Sequence, residues 1–205
     1  MAIEVRLHRE TDNRNSFQSG DEQLDLFFRR YAGQNQFRHH VGTTYVAVES
    51  EIILGFATVT VGHIEIETLP PSLRKKLPDY PLPILRLARL AVDRNAQGKG
   101  VGEHLMRTVF SVAIELREKL GCVGGVVDAK PGAENYYSRY GFVELEVIEG
   151  ALEERPAPTP MFLPASAVIQ ALEPTRSAKK NEGQNQPVNS PMARSARALA
   201  ATRTG

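Results

Sequence analysis

The sequence feature that most constrains this chain is a glycine loop between a predicted strand and a predicted helix. Gly98, Gly100 and Gly102 stand at alternate positions directly before an apolar stripe of helical period. Residues without a Cβ let the backbone turn so that several N–H groups face one concavity. The first turn of the helix adds unpaired N–H groups and the positive end of the helix dipole. The loop therefore predicts a site for a phosphate or pyrophosphate group.

The spacing of these glycines distinguishes three kinds of phosphate site. A P-loop requires Lys-Ser or Lys-Thr after its glycines, and neither pair follows here. A dinucleotide fingerprint requires G-x-G-x-x-G, and this loop is one residue shorter. The pattern that fits is Q-x-x-G-x-G, formed by Gln97, Gly98, Lys99, Gly100, Val101 and Gly102. A strand-to-helix turn that holds no ligand is the alternative.

A second segment narrows the interpretation of the loop. Residues 124–129 are typical of a short buried strand, and 133–142 of a short helix that ends at a glycine. The pattern Ala-x-x-aromatic-Tyr-x-x-x-Gly-Phe in that helix, together with the glycine loop, resembles the GNAT superfamily of acetyltransferases, which bind acetyl-CoA. The resemblance implies that Tyr137 faces the coenzyme A sulfur. Tyr136 and Tyr140 are expected to be packing residues, because aromatic side chains at helical spacing usually fill a core.

The resemblance implies an α/β (α+β) fold in which helices flank a mixed, mostly antiparallel central sheet. The predicted order is β-α-α-β-β-β-α-β-α-β-β. Strands are predicted at 5–7, 44–49, 52–61, 84–92, 124–129, 142–148 and 159–163, and helices at 19–31, 32–38, 100–120 and 133–142. The apolar face of the third helix is predicted to run from Val101 to Leu120.

The chain is expected to divide at about residue 172. Residues 1–172 form the predicted acetyltransferase domain, and 173–205 form a tail with six basic and two acidic residues, in a chain of net charge +1. The tail has few bulky apolar residues, so we expect it to be disordered. The sequence leaves two roles open for this tail: an electrostatic contact with nucleic acid, or a solvated extension without a specific role.

The compartment is predicted from cysteine usage and apolar runs. A single cysteine, Cys122, excludes a disulfide framework and fits a reducing cytoplasm. Its default role is that of a small buried hydrophobe. The N-terminus lacks the apolar core of a signal peptide, and no run of eighteen apolar residues predicts a membrane span.

Further motifs resemble one branch of this superfamily, the toxin acetyltransferases of type II toxin–antitoxin modules. These motifs are Phe17–Gly20, Gln34 with Gln36, Thr44–Val46, Leu69–Pro83, Arg89–Arg94 and Met161–Pro164. The resemblance covers residues 3–165 and implies acetylation of the α-amino group of aminoacyl-tRNA, which stops translation. It also implies a ribbon-helix-helix antitoxin, operator DNA bound only through that antitoxin, and a possible homodimer.

The residues of the predicted strand before the glycine loop indicate which kind of amine could be acetylated. Residues 84–92 include no carboxylate that would deprotonate an amine. This suits an α-amino group, whose pKa of about 7.7–8.0 lies well below the value of about 10.4 for lysine. The Tyr137 hydroxyl would donate a proton or hydrogen bond to the departing sulfur. Asp93 or Glu65 acting through water is the alternative base.

Backbone N–H groups of the same strand are expected to polarise the acetyl carbonyl, as an oxyanion hole does. The residues concerned are Leu90, Ala91 and Val92.

A tRNA substrate implies positive charge near the acceptor site. The candidate substrate-binding residues are Arg74, Lys75, Lys76 and Arg89, each of which is also explicable as a solvated surface charge. His39 and His40 have no cysteine or histidine partners at ligand spacing, so no metal is expected. Two other functions are open: a GNAT enzyme that acetylates a protein N-terminus or a small amine, and a catalytically silent binding module.

Overall fold

One mixed sheet organises the residues that this computed structural model describes, which are 3–75, 77–145 and 158–172. Within these residues the sheet contains seven strands, in the order β1-β2-β3-β4-β5-β7-β6. Their bounds are β1 Glu4–Leu7, β2 Thr43–Glu49, β3 Ile52–Ile64, β4 Leu82–Val92, β5 Gly124–Ala129, β6 Val143–Glu144 and β7 Thr159–Pro164. β4 and β5 are parallel, and the other neighbouring strands are antiparallel. The predicted mixed, mostly antiparallel sheet is confirmed.

The hairpin between β2 and β3 closes through an unusual pair of residues. Ser50 and Glu51 both have positive φ, at 48° and 65°. Two such residues in succession match the twist of the flanking strands, as in a type I′ turn. The predicted hairpin is confirmed, and β3 continues past the predicted end at Val61 to Ile64.

A bulge in β4 changes which side chains face each side of the sheet. The register with β3 pairs Thr58 with Arg89 and Val59 with Leu87, so Ala88 is the extra residue. Before the bulge, Leu87 packs in the core beneath the long helix. After it, Arg89 and Ala91 lie with the aromatic side chains on the opposite face. The bulge thus directs Arg89 away from the helix that follows the glycine loop.

The parallel ladder between β4 and β5 is short. It pairs Leu85–Leu87 with Gly125–Val127, and the two strands separate beyond these three pairs. The remaining part of β4 leaves backbone groups on its β5 side outside the ladder. This opening in the sheet lies directly before the glycine loop.

The first helical segment is continuous, whereas the sequence predicted two helices. It comprises α1 Glu22–Leu26, a π-helical turn Phe27–Tyr31, α2 Ala32–Gln34 and a second π-helical turn Asn35–His39. Tyr31 keeps right-handed helical angles, with φ of −105° and ψ of −29°, so the chain does not break there. Asp21 caps the segment by accepting hydrogen bonds from the N–H groups of Gln23 and Leu24.

Aromatic stacking fixes this segment on the sheet. The rings of Phe28 and Phe56 are parallel, with their centroids 4.3 Å apart. Phe17 and Phe27 complete the cluster, and all four side chains are buried. Burial of such aromatic surface contributes about 1.5–3 kcal/mol per side chain.

The long helix after the glycine loop is α4, Val101–Lys119. Val101, Leu105 and Val109 are buried on the predicted apolar face. Leu120 was predicted to continue that face, which is wrong, since it is 81% exposed. The helix ends at Lys119, and the backbone of Leu120 turns out of the helical region at φ −131°, so its side chain no longer follows the stripe.

Shorter helices complete the fold: 3₁₀ turns Ile66–Thr68 and Arg94–Ala96, α3 Pro71–Arg74, α5 Glu134–Ser138 and α6 Ala165–Leu172. α6, which was not predicted from the sequence, packs against α4. The predicted strand 142–148 is seen as Val143–Glu144, and 146–148 lie outside the described residues. The predicted tail 173–205 lies outside them too. Within the part of the chain that is described, none of the helices has the length and apolar character needed to cross a membrane.

Cys122 lies just before β5, in the core beneath α4. It is buried, and its thiol donates a hydrogen bond to the carbonyl of Gly124 at 3.2 Å. Burial raises the pKa of the thiol, which disfavours the nucleophilic thiolate.

Adjacent glycines on β5 provide a test of the packing between β5 and β7. A Cβ on Gly124 would lie 2.2 Å from the Leu163 carbonyl oxygen and 2.7 Å from the Phe162 ring. We expect Gly124→Ala to lower the free energy of unfolding by about 3 kcal/mol, because neither backbone nor ring can yield. Denaturant unfolding followed by circular dichroism measures the loss.

Gly125→Ala is the matched control, because a Cβ there would have its nearest neighbour at 3.9 Å. We expect it to be neutral or slightly stabilising, since alanine has fewer unfolded conformations than glycine. Equal effects of the two substitutions would contradict the register between β5 and β7.

Candidate active site

The glycine loop leaves an open concavity at the start of α4. Gly98 and Gly100 have φ of +76° and +80°, which side chains rarely adopt. A Cβ at either position would meet nothing within 4 Å. Gly100 is the N-cap of α4, so the first N–H groups of that helix open toward the concavity. Glycine is therefore required for the backbone conformation and also leaves room for a ligand.

Polar contacts hold this loop to the segment that precedes α1. The Gln97 amide donates hydrogen bonds to the carbonyls of Ser19 at 3.0 Å and Val92 at 3.2 Å. The Asp93 carboxylate accepts one from the N–H of Gln18 at 3.0 Å. The Gln97 side chain thus positions the loop, a role that the sequence pattern did not distinguish from ligand contact.

A cavity of about 530 Å³ lies against the loop. Its lining comprises Val92, Ala96, Gln97, Gly98, Gly100, Val101, Gly102, Glu103, Tyr136, Arg139 and Tyr140. Most of the predicted cofactor-binding residues therefore meet in one place. Lys99 is exposed outside this lining, and the Ala91 side chain is buried on the opposite face with the aromatic cluster. Leu90 lies in a neighbouring pocket.

Tyr136 approaches the loop more closely than the sequence indicated. A Cβ on Gly102 would lie 2.7 Å from the Tyr136 hydroxyl oxygen. Tyr140 donates to that oxygen at 3.5 Å, and the Arg139 guanidinium lies 5.2 Å from the centroid of the Tyr136 ring. Tyr136 and Tyr140 pack on the core as predicted and also line the cavity. The available sequence signal was a glycine inside a helix, which often marks a close approach.

Tyr137 occupies a second, smaller pocket where β4 and β5 separate. The pocket has a volume of about 210 Å³ and is lined by Leu24, Leu87, Ala88, Arg89, Leu90, Val127, Asp128, Lys130, Ala133 and Tyr137. We call this cavity the Tyr137 pocket. The Tyr137 side chain is 7% exposed and packs edge-on against Tyr136 and Phe142. This burial raises the pKa of its hydroxyl to about 12, so the group stays protonated at neutral pH.

Charged side chains surround this pocket. Arg86 donates to the Asp128 carboxylate at 2.5 Å, and Lys130 donates to Asp21 at 2.5 Å. The Arg89 guanidinium lies 3.9 Å from the centroid of the Phe27 ring, a cation–π contact.

The candidate substrate-binding residues are not brought together. Arg74 donates to the backbone carbonyls of Glu67 and Leu69 and so stabilises its own loop. Lys75 is exposed on the same segment, and Lys76 lies outside the described residues. Of the three that are described, Arg89 lines the Tyr137 pocket.

The two alternative bases do not line the Tyr137 pocket. Asp93 accepts hydrogen bonds from the N–H groups of Gln18 and Asn95, and Glu65 is exposed beside His63. Among the described residues, no group of three or more His, Cys, Asp or Glu side chains is placed to hold a metal ion.

Comparison with known proteins gives the family. A family model described as an acetyltransferase (GNAT) domain matches residues 40–144. A tRNA-acetylating toxin of Mycobacterium tuberculosis is 30% identical over 134 residues, which cover 65% of this chain and 80% of that protein. The chain belongs to the GNAT acetyltransferase family. It is therefore an N-acetyltransferase that takes its acetyl group from acetyl-CoA.

Solved structures share the fold of this GNAT acetyltransferase. AtaT complexed with acetyl-methionyl-tRNAfMet has a TM-score of 0.73 and 25% identity, covering 82% of this chain and 98% of AtaT. A variant of the AtaT toxin bound to acetyl-CoA and to the C-terminus of the antitoxin AtaR has a TM-score of 0.65 and 20% identity. The match covers 83% of this chain and 97% of the AtaT variant.

Substitution of Gly100 tests whether the open loop holds the acetyl donor. We expect Gly100→Glu to abolish acetyl-CoA binding, because the carboxylate would fill the concavity and repel a pyrophosphate. Isothermal titration calorimetry measures the affinity.

Gly121→Glu is the matched control, since Gly121 also has positive φ, at +91°, and an open Cβ position. Both variants carry the same backbone strain of about 1–2 kcal/mol. Only Gly100→Glu should lose affinity. Unchanged affinity in a folded Gly100→Glu variant would contradict the assignment of this loop.

Proposed function

We propose that this GNAT acetyltransferase transfers the acetyl group of acetyl-CoA to the α-amino group of aminoacyl-tRNA and so blocks translation. The observation that carries the proposal is the Tyr137 pocket, whose β4 wall, Leu82–Val92, has no carboxylate. β4 therefore supplies no base to deprotonate an acceptor with a lysine-like pKa, whereas an α-amine needs none. The similarity to a tRNA-acetylating toxin supports the same substrate.

The acetyl donor is proposed to span the cavity at the glycine loop and the Tyr137 pocket. The pyrophosphate would be held by backbone N–H groups of Gly98, Gly100 and Gly102 and by the positive end of α4. Arg139 adds a positive charge to the same lining. Val92 lines the first cavity and Leu90 the second, so the strand between them connects the two. When bound, acetyl-CoA supplies the activated acetyl group as a thioester.

Tyr137 is proposed as the catalytic residue that faces the sulfur. Its pKa of about 12 exceeds the value of about 8.5 for an ordinary thiol, so full proton transfer to a thiolate is unfavourable. The hydroxyl therefore acts by donating a hydrogen bond to the sulfur as negative charge develops there. The backbone N–H groups of Leu90 and Val92, which lie beyond the β4–β5 ladder, are proposed to bind the acetyl oxygen. The N–H of Ala91 points toward β3 instead, because peptide groups alternate along a strand.

The proposal includes macromolecular partners beyond tRNA. The motifs shared with toxin acetyltransferases support a ribbon-helix-helix antitoxin, operator DNA bound through it, and action in the cytoplasm. The structure of AtaT with the C-terminus of AtaR is consistent with an antitoxin as partner. A homodimer is a further assembly that the resemblance allows.

Removal of one hydroxyl tests the role of Tyr137. Tyr137→Phe keeps the ring that packs against Phe142, so we expect the fold and the acetyl-CoA affinity to be retained. We expect kcat to fall by about 100-fold, because the hydrogen bond to the sulfur is lost. Single-turnover acetylation of aminoacyl-tRNA measures the effect.

Tyr31→Phe is the control variant, because it removes the same hydroxyl from a side chain that is 46% exposed on the first helical segment. Its kcat should equal that of the wild type. Wild-type turnover in Tyr137→Phe, with the loss appearing in Tyr136→Phe instead, would move the catalytic role to Tyr136.

The substrate class is tested with charged tRNA, uncharged tRNA and free amines. We expect acetylation of charged tRNA alone, with kcat/KM falling steeply as salt is added. Each phosphate contact should contribute roughly −0.7 to −0.9 to the slope of log kcat/KM against log salt. Lys75→Glu should raise KM for tRNA and leave acetyl-CoA affinity unchanged. Lys119→Glu is the control, because it makes the same charge change at the end of α4 and should leave KM for tRNA unchanged. A salt-insensitive enzyme that prefers a free amine would identify a small-molecule acetyltransferase.

A further inference from the structure

Asp128 is the one acidic side chain that lines the Tyr137 pocket among the residues that the structure describes. Asp128 lies on β5, one residue beyond the last pair of the β4–β5 ladder. Its carboxylate therefore stands at the opening between the strands, on the wall across from Arg89 and Leu90.

The orientation of this carboxylate is fixed by a neighbouring strand. Arg86 on β4 donates from Nη1 to Oδ2 of Asp128 at 2.5 Å. A carboxylate offers about four acceptor positions, so this bond leaves capacity for another donor. Both side chains are partly accessible, with 35% and 47% exposure, so a ligand can reach them.

The charged side chains around Asp128 indicate which part of a substrate its carboxylate can bind. Arg86, Arg89 and Lys130 stand around the pocket, where the Lys130 charge is offset by Asp21 and the Arg86 charge by Asp128 itself. A carboxylate among them weakens the attraction for phosphate. It is suited instead to the α-amino group of an aminoacyl end, which becomes positively charged as it attacks.

We propose that Asp128 binds the acceptor amine and aligns it with the acetyl group in the Tyr137 pocket. The carboxylate accepts a hydrogen bond from the nitrogen and stabilises the positive charge that the nitrogen gains as it attacks. This inference rests on the proposed function, because it assigns the residue that receives the α-amine of the same acceptor.

Bonds and protons balance in the proposed transfer of the acetyl group from sulfur to nitrogen. The neutral amine forms a C–N bond to the acetyl carbon, and the C–S bond breaks. The nitrogen then loses one proton to water, which reaches Asp128 because this side chain is 47% exposed. The sulfur leaves with a hydrogen bond from Tyr137 and takes one proton from solvent. Asp128 acts by charge and orientation.

Asp128→Asn tests the assignment, since the amide keeps the shape and loses the charge. We expect kcat/KM for aminoacyl-tRNA to fall about 10- to 100-fold, the usual effect of losing a hydrogen bond to a charged group. Calorimetric affinity for acetyl-CoA and the melting temperature should match the wild type. Glu118→Gln removes one charge from the exposed surface of α4 and should leave kcat/KM unchanged.

The pH dependence of kcat separates amine binding from a structural role. A carboxylate favours the protonated form of the bound amine, so its removal should lower the apparent pKa of the acid limb. Asp128→Asn should therefore shift that limb to lower pH, and Glu118→Gln should not. A purely structural role would lower the melting temperature or acetyl-CoA affinity without moving the limb, and that result would overturn the inference.

The controls distinguish failure of this inference from failure of the proposed function. If the wild type does not acetylate charged tRNA, the proposed function is wrong. If it does, and Asp128→Asn retains the wild-type kcat/KM and pH profile, only the assignment of Asp128 is wrong.

Discussion

The separation of β4 from β5 after three residue pairs is the constraint on which the site depends. The ladder ends at Leu87 and Val127, and the bulge at Ala88 begins at the same level. Together they leave backbone N–H groups outside the sheet and open the pocket in which Tyr137 lies. A fully paired sheet would fill this opening with hydrogen bonds and leave no pocket at the tyrosine.

The first helical segment is in contact with the surroundings of both cavities. Its preceding loop is bonded to the glycine loop through Gln97 and Asp93, and its cap residue Asp21 pairs with Lys130 beside the Tyr137 pocket. Aromatic stacking between Phe28 and Phe56 fixes the same segment on the sheet. The positions of the cavity at the glycine loop and the Tyr137 pocket are thereby coupled through a rigid, buried cluster.

Two neighbouring tyrosines acquire different roles from their surroundings. The hydroxyl of Tyr136 lies against Gly102 at the start of α4, so this residue shapes the cavity at the glycine loop. Tyr137, one residue later, points into the opening between the strands. Burial raises the pKa of both hydroxyls, which keeps each a hydrogen-bond donor at neutral pH.

The sequence by itself determined the elements whose signals are local. The spacing of Gly98, Gly100 and Gly102, the Tyr137 helix and the β2–β3 hairpin depend on backbone preferences within a few residues, and this suffices for the family and the fold class. The tertiary structure alone decided that Tyr136 meets Gly102, that Arg74 folds onto its own loop and that Asp128 reaches the Tyr137 pocket. Such contacts depend on strand register, the bulge and the packing of elements distant in sequence, and a local pattern carries no information about these distances.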